Sequence, residues 1–164
     1  MTEVHHFLSQ IVKINGTFHY TTRRKEGKIK YELDEGGWFT GRADFGYAYF
    51  LNGDRYVGGW NGQRMEGDGT YFYQSGDKYE GTFRNNMKEG PGTFVSGDLR
   101  EYKGNFTADK MEGQGRMTFP EGHVYEGGFA DWRRSGQGMM TRRNGDVYTG
   151  IWNDESGNGK VSFI

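Results

Sequence analysis

The sequence predicts an all-β fold, an elongated, single-layer antiparallel sheet built from consecutive β-hairpins. Three observations carry that prediction. First, 29 of the 164 residues are Gly and only 33% are hydrophobic, yet 16% are aromatic. Burial must therefore come from rings, and Gly in a helix interior costs about 1 kcal/mol relative to Ala. Second, Tyr56, Tyr79, Tyr102, Tyr125 and Tyr148 follow one another at intervals of 23 residues, the mark of a repeat architecture. Third, the ring and glycine positions within each interval alternate with polar ones at the period of an extended strand.

Taken in order, residues 1–35 read as an N-terminal cap or partner-contacting arm made of strands. Gly16-Thr17-Phe18 in this stretch matches Gly92-Thr93-Phe94. Residues 36–55 form a degenerate repeat in which Trp38 and Gly46 hold worn positions, and Asn52-Gly53-Asp54 leads into Tyr56. Five units follow, 56–78, 79–101, 102–124, 125–147 and a truncated 148–164. Atypical units are expected at the ends, because they must cap an open stack.

Two residues after each Tyr stands Gly58, Gly81, Gly104, Gly127 or Gly150; four after it stands Trp60, Phe83, Phe106, Phe129 or Trp152. A Gly-x-Gly pair completes each unit, as at Gly67 and Gly69 or Gly113 and Gly115, and comes early in the last at Gly157 and Gly159. By parity Tyr56, Gly58 and Trp60 share a face, and Gly67, Gly69, Tyr71 and Tyr73 share one, while Glu66, Asp68 and Thr70 point the other way. Each hairpin thus has an aromatic-plus-glycine face and a mostly polar face. Gly weakens a strand interior, so its recurrence predicts rings lying over bare backbone. Five such units would make a ribbon about 50 Å long and about 20 Å wide.

Asn52-Gly53, Ser75-Gly76, Glu121-Gly122 and Asn144-Gly145 mark tight turns between units, Asn-Gly being favoured because both residues tolerate positive φ. The other connection, Asn61 to Glu66 or Arg84 to Glu89, reads as a loop of about six residues between strands of about five or six.

Charge and chemistry exclude several function classes. There are 21 Lys plus Arg against 22 Asp plus Glu, a net charge of -1, so nothing pulls the chain strongly toward nucleic acid or anionic lipid. Cys is absent, which removes disulfides and thiolate chemistry and suits a reducing compartment. His5, His6, Ser9, Gln10 and Lys13 interrupt the first residues, unlike the apolar core of a signal peptide. A soluble intracellular protein is expected. His5, His6, His19 and His123 lack metal-ligand spacing, and the Gly-x-Gly pairs lack the Lys-Ser/Thr of a phosphate loop. Glu66, Glu89 and Glu112, one per unit, read as a solvated row that discourages sheet stacking. No catalytic, cofactor or metal site is expected, and no enzymatic activity.

The combination of Tyr-x-Gly-x-Trp with Gly-x-Gly at a 23-residue period resembles the MORN (membrane occupation and recognition nexus) repeat family, closely over residues 53–164 and loosely over 33–52. The resemblance implies a twisted single-layer sheet with a groove. It also implies a non-catalytic interaction module in cytoskeletal, ciliary or flagellar, or membrane-associated assemblies. The candidate partner-binding residues are those of the aromatic face: Tyr56, Trp60, Tyr71, Tyr79, Phe83, Phe94, Tyr102, Phe106, Met117, Tyr125, Phe129, Met140, Tyr148 and Trp152. Exposed apolar surface of that extent marks a binding site. An apolar helix, an extended segment of a partner or a second copy would cover it. The alternative is peripheral attachment to anionic phospholipid through Arg23, Arg24, Lys25, Arg133, Arg134, Arg142 and Arg143. Binding to nucleic acid or to secreted carbohydrate is disfavoured. The fourth unit departs from the pattern at Trp132-Arg133-Arg134, where others have Gln63-Arg64-Met65 or Met87-Lys88.

Overall fold

The computed structural model describes residues 9–14, 17–22, 29–153 and 160–162. β1 (Ser9–Ile14) and β2 (Thr17–Thr22) pair as a hairpin of their own. Then come two short entry hairpins, β3 (Ile29–Glu32), β4 (Trp38–Gly41) and β5 (Phe45–Tyr49). The regular units supply β6 (Arg55–Asn61), β7 (Arg64–Phe72), β8 (Lys78–Arg84), β9 (Met87–Val95), β10 (Glu101–Thr107), β11 (Lys110–Thr118), β12 (Val124–Ala130) and β13 (Arg133–Thr141). β14 (Val147–Asn153) and β15 (Lys160–Ser162) close the series. Strands β3 to β15 form one open 13-stranded sheet in sequence order, every neighbour antiparallel, and there is no helix among the described residues. The all-β hairpin-repeat architecture is the expected one. Gly157, Gly159 and the Arg23-Arg24-Lys25 cluster lie outside the described residues.

Three local features explain why this sequence makes this sheet. The first is the seat of each repeat Tyr. Gly58 pairs with Gly69, Gly81 with Gly92, Gly104 with Gly115 and Gly127 with Gly138. A Cβ at Gly69, Gly92, Gly115 or Gly138 would overlap the ring of Tyr56, Tyr79, Tyr102 or Tyr125 respectively. The ring lies across the glycine pair, as the glycine pattern predicts. Its hydroxyl then donates to the backbone carbonyl three residues on: Tyr56 to Gly59 at 2.8 Å, Tyr79 to Thr82, Tyr102 to Asn105 and Tyr125 to Gly128 at 3.0 Å.

The second feature is a bulge inside each hairpin. Gly58 pairs with Gly69 but Trp60 with Met65, so the second strand carries two extra residues, and the shift recurs in the hairpins β8–β9, β10–β11 and β12–β13. Gly67, Gly90, Gly113 and Gly136 sit there at φ of 74° to 78° with open space around the Cβ position. The two glycines of Gly-x-Gly therefore do different work: the first permits left-handed backbone, the second makes room for a ring. Bulges increase twist, and the strands reach seven and nine residues, longer than the five or six expected from sequence.

The third feature corrects the turn assignment. The expected six-residue loops are two-residue turns: both residues have positive φ at Asn85 and Asn86, Ala108 and Asp109, and Asp131 and Trp132, while in the first copy Gly62 alone does. The Xaa-Gly connections are instead three-residue loops: Gly76 N–H bonds Tyr73 O, Tyr73 N–H bonds Asp77 O, and Gly76 alone takes φ of 97°. Such a turn with a left-handed third residue tolerates many residues before the Gly. In the third copy of this loop Leu99 holds the left-handed position at φ 67°.

The core is a strip of rings on one face. Edge-to-face contacts run without a break from Tyr56 to Phe83 (5.1 Å between centroids), Tyr79 (5.1 Å), Phe106 (4.9 Å), Tyr102 (5.3 Å), Phe129 (4.7 Å), Tyr125 (5.3 Å) and Trp152 (5.0 Å). Each Tyr thus bridges the aromatic of its own unit and that of the next. Trp60, stacked on Phe39 at 4.7 Å, carries the strip into the entry hairpins.

Candidate interaction surfaces

Burial divides the aromatic face into two layers. Tyr56, Trp60, Tyr79, Phe83, Tyr102, Phe106, Tyr125, Phe129 and Trp152 are buried within the chain's own core. Tyr71, Phe94, Met117, Met140 and Tyr148, all singled out from sequence, are half-buried. Phe50, Tyr73 and Phe119 join this outer layer. Phe50 stacks on Tyr71 at 5.7 Å, Tyr71 meets Tyr73 at 4.6 Å and Tyr73 meets Phe94 at 6.1 Å, giving a continuous accessible strip above the buried rings. At the end nearest the entry hairpins the strip opens into a cleft of about 690 Å³ whose lining includes Leu33, Leu51, Gln63, Met65 and Tyr71. The Gln63 side-chain amide nitrogen is buried there with no partner among the described residues.

Ionisable groups along this face are held by their surroundings. Burial, followed by the hydrogen bond it donates to Asp54 at 2.7 Å, pushes the Tyr71 hydroxyl far above the ordinary phenol range. Burial also raises Tyr31 and Tyr102 to about 12. Positions 65, 88, 111 and 134 are equivalent in the repeat and carry Met, Lys, Met and Arg. Lys88 is only 7% exposed; its Nζ donates to Tyr73 Oη at 2.8 Å, pairs with Asp109 at 3.2 Å and lies over the Trp132 ring at 5.6 Å. Arg134 lies over Trp152 at 4.8 Å and Arg142 over Tyr148 at 4.7 Å, while Arg133 and Arg143 are exposed. Trp132 reaches from its turn across the face to Phe94 at 5.4 Å and Phe106 at 6.0 Å.

The glutamate row corrects the solvated reading. Glu66 accepts from the Asn85 N–H at 2.9 Å, Glu89 from Ala108 at 3.0 Å and Glu112 from Asp131 at 3.1 Å, so each caps the turn of the next unit. Asn86 and Asp109 reach back to the N–H groups of Met65 and Lys88 at 2.7 and 2.8 Å. On the opposite edge Asp54 accepts from Gln74 at 2.8 Å, Asp77 from Gly97 at 2.7 Å and His123 from Arg143 at 3.1 Å. The remaining rung of that edge would join Arg100 to Pro120, one unable to accept and the other without an N–H to donate. Arg100 instead bonds Asp98 at 2.9 Å, which holds that carboxyl far below its usual range.

Sequence reading missed a second surface, on the face away from the core. Trp38, Tyr47, Tyr49 and Phe72 are 48%, 51%, 47% and 36% exposed. Trp38 pairs with Tyr49, Tyr49 with Arg55 and Arg55 with Phe72, so one row crosses four strands, β4 to β7. Lys30 lies over Trp38 at 5.0 Å and Arg55 over Phe72 at 5.8 Å. The signal was available in Tyr47-Ala48-Tyr49, where the rings hold the parity opposite to Phe39 and Tyr56.

Comparison with known proteins agrees with this geometry. The MORN repeat model matches residues 79–98, 102–124 and 125–147, and these three consecutive units are MORN repeats. No curated protein matches the sequence. Among solved structures, the chain is similar to the TCP domain of Drosophila melanogaster SAS-4 (dCPAP), a structure in complex with a proline-rich motif of Ana2 (dSTIL). The TM-score is 0.50 at 15% identity, covering 88% of each chain. The TCP10c domain of Drosophila melanogaster Sas-4 gives a TM-score of 0.48 at 15% identity, over 88% of this chain and 97% of that one.

Proposed function

We propose that this chain, with its MORN repeats, is a non-enzymatic protein-interaction scaffold that receives an apolar helical or extended segment of a partner along the outer aromatic strip. One observation carries the reading: Tyr71, Tyr73, Phe94, Met117 and Met140 stay half-exposed above a core that is already complete beneath them. A strip of that kind is larger than isolated surface hydrophobes need explaining. The buried members of the aromatic face support the strip without touching the partner. The cleft at Gln63 offers one unpaired donor to a backbone carbonyl of the incoming segment. The SAS-4 TCP domain's complex with a motif from another protein supports a protein partner for this shape of sheet. Membership of a cytoskeletal or axonemal assembly in the cytoplasm follows from the MORN resemblance alone.

Because the chain lacks Cys, single cysteines can carry a photo-crosslinker without background. Met117→Cys so labelled is expected to crosslink to the partner in the native assembly, and Lys103→Cys, on the opposite face, is not. Crosslinking from position 103 alone would defeat the reading.

A further inference from the structure

We propose that the outward row of Trp38, Tyr49 and Phe72 is a second docking site, for an extended proline-rich segment with an acidic residue between prolines three apart. It is separate from the aromatic strip and does not depend on it.

The rings come first. At the same row the regular units beyond Phe72 carry only polar or small aliphatic residues, Lys78, Val95, Glu101, Thr118 and Val124, and no ring. Here the row carries large rings that are between one-third and one-half exposed. They do not complete the core, because Tyr31, Phe39, Ala48 and Tyr56 on the other face of the same strands already do so.

Spacing selects the occupant. Tyr49 and Phe72 are two strands apart, a separation of about 9.5 Å. A polyproline II helix turns once in three residues and rises about 9.3 Å in doing so. Laid across the strands, such a segment sets every third residue over every second strand, so prolines three apart meet Tyr49 and Phe72 in turn. Proline rings on aromatic faces are the recognition mode of proline-rich ligands. An α-helix places residues seven apart at about 10.5 Å and drifts out of step across the row.

Charge sets the remaining specificity. Arg55 lies midway between Tyr49 and Phe72, lined up with both, and among the described residues its contact is with a ring and not with a carboxylate. Lys30 likewise lies over Trp38. By contrast Lys78, the next residue of the row, is paired with Glu80 at 3.6 Å. A carboxylate carried between the two prolines would meet Arg55 over the ring row, in a geometry where the stacked guanidinium keeps its donors free.

The probe is (Pro-Pro-Glu)4, titrated into the full chain by calorimetry, with a helical peptide of equal charge and (Pro-Pro-Lys)4 as controls. Binding of (Pro-Pro-Glu)4 and not of the controls is expected. Phe72→Thr and Tyr49→Thr should each weaken it at least tenfold without a change in melting temperature, since both side chains face solvent. Arg55→Glu should transfer preference to (Pro-Pro-Lys)4, a gain that unfolding cannot mimic. Tyr71→Ser, on the other face, should leave binding unchanged. The proposal is overturned if the helical control binds as well, or if Tyr71→Ser abolishes binding while Phe72→Thr does not. It also fails if the row is occupied by a second copy, seen as a dimer in sedimentation that Tyr49→Thr dissociates.

Discussion

The regular units, from Tyr56 to Thr141, and the entry hairpins, from Ile29 to Tyr49, build the same sheet by different means. In the regular units each of Tyr56, Tyr79, Tyr102 and Tyr125 lies over a glycine pair, every hairpin has a bulge with a left-handed Gly, and Phe72 is the one large ring on the outward face among the described residues. The entry hairpins pair in plain register with no bulge. There Phe39 covers Gly46, while the Tyr31 hydroxyl leaves its own hairpin to bond Gly62 O. Their outward face carries rings. A regular unit fills its glycine seat with its own Tyr; the entry fills the seat at Gly46 with its own Phe39 and sends the Tyr31 hydroxyl to the next unit.

Alkali should break the comparison most strongly. Tyr56, Tyr71, Tyr79 and Tyr102 in the regular units and Tyr31 in the entry all have hydroxyl pKa values raised chiefly by burial, Tyr31 and Tyr102 to about 12. A raised folded pKa means the unfolded chain gives up its protons first, near pH 10. The stabilisation is complete below that and is lost as pH rises through about 12. Melting temperature followed from pH 9 to 12, with tyrosinate absorbance, should show unfolding and ionisation together. Tyr31→Phe and Tyr102→Phe remove hydroxyls raised alike and should shift the midpoint by similar amounts.

Substitution within one Gly-x-Gly pair separates the two glycine roles, of which the entry hairpins keep the ring seat at Gly46 and lack the bulge. Gly115→Ala drives a methyl into the Tyr102 ring and should cost about 3 kcal/mol. Gly113→Ala meets open space but at φ 78°, a left-handed backbone worth about 1–2 kcal/mol. Urea titration gives both values, and equal losses would mean that the ring seat is no tighter than the bulge. The smallest effect is a gain. Leu99 is 71% exposed and holds the left-handed position that Gly76 and Gly122 hold elsewhere, so Leu99→Gly should stabilise by about 1 kcal/mol.

The hairpin repeat, the aromatic and polar faces and the seating of Tyr on Gly were legible, because each rests on which residue recurs and on strand parity alone. The bulge was not: Gly67 and Gly69 look alike in sequence, and only backbone conformation tells a left-handed glycine from a space-making one. The turns were exchanged because Asn52-Gly53 imitates the two-residue hairpin signal, while Ala108-Asp109 carries no Gly. The glutamate row was misread because a carboxylate that caps a neighbour's N–H has the same parity as one in water. The ring row at Trp38 and Tyr49 escaped notice because degenerate units were compared with regular ones for what they had lost.

The lateral rungs have a mechanical consequence. Along both edges, acid and amide side chains tie each unit to the next, as at Asp77 with Gly97 and Asn86 with Met65. Two ties are chemically impossible, Arg100 with Pro120 on one edge and Trp132, which has no acceptor, with Met111 on the other. The first gap lies at the paired ends of β10 and β11 and the second between β11 and the β12–β13 turn, so the two fall on either side of β11. Considered as an elastic strip, the sheet loses one edge tie on each side of β11 and there relies on the backbone ladder, the Glu112 cap and the Lys110–Asp131 and Arg116–Glu126 ion pairs. Trp132, edge-to-face with Phe94 and Phe106, replaces its missing edge tie with a brace that spans three units on the ring face.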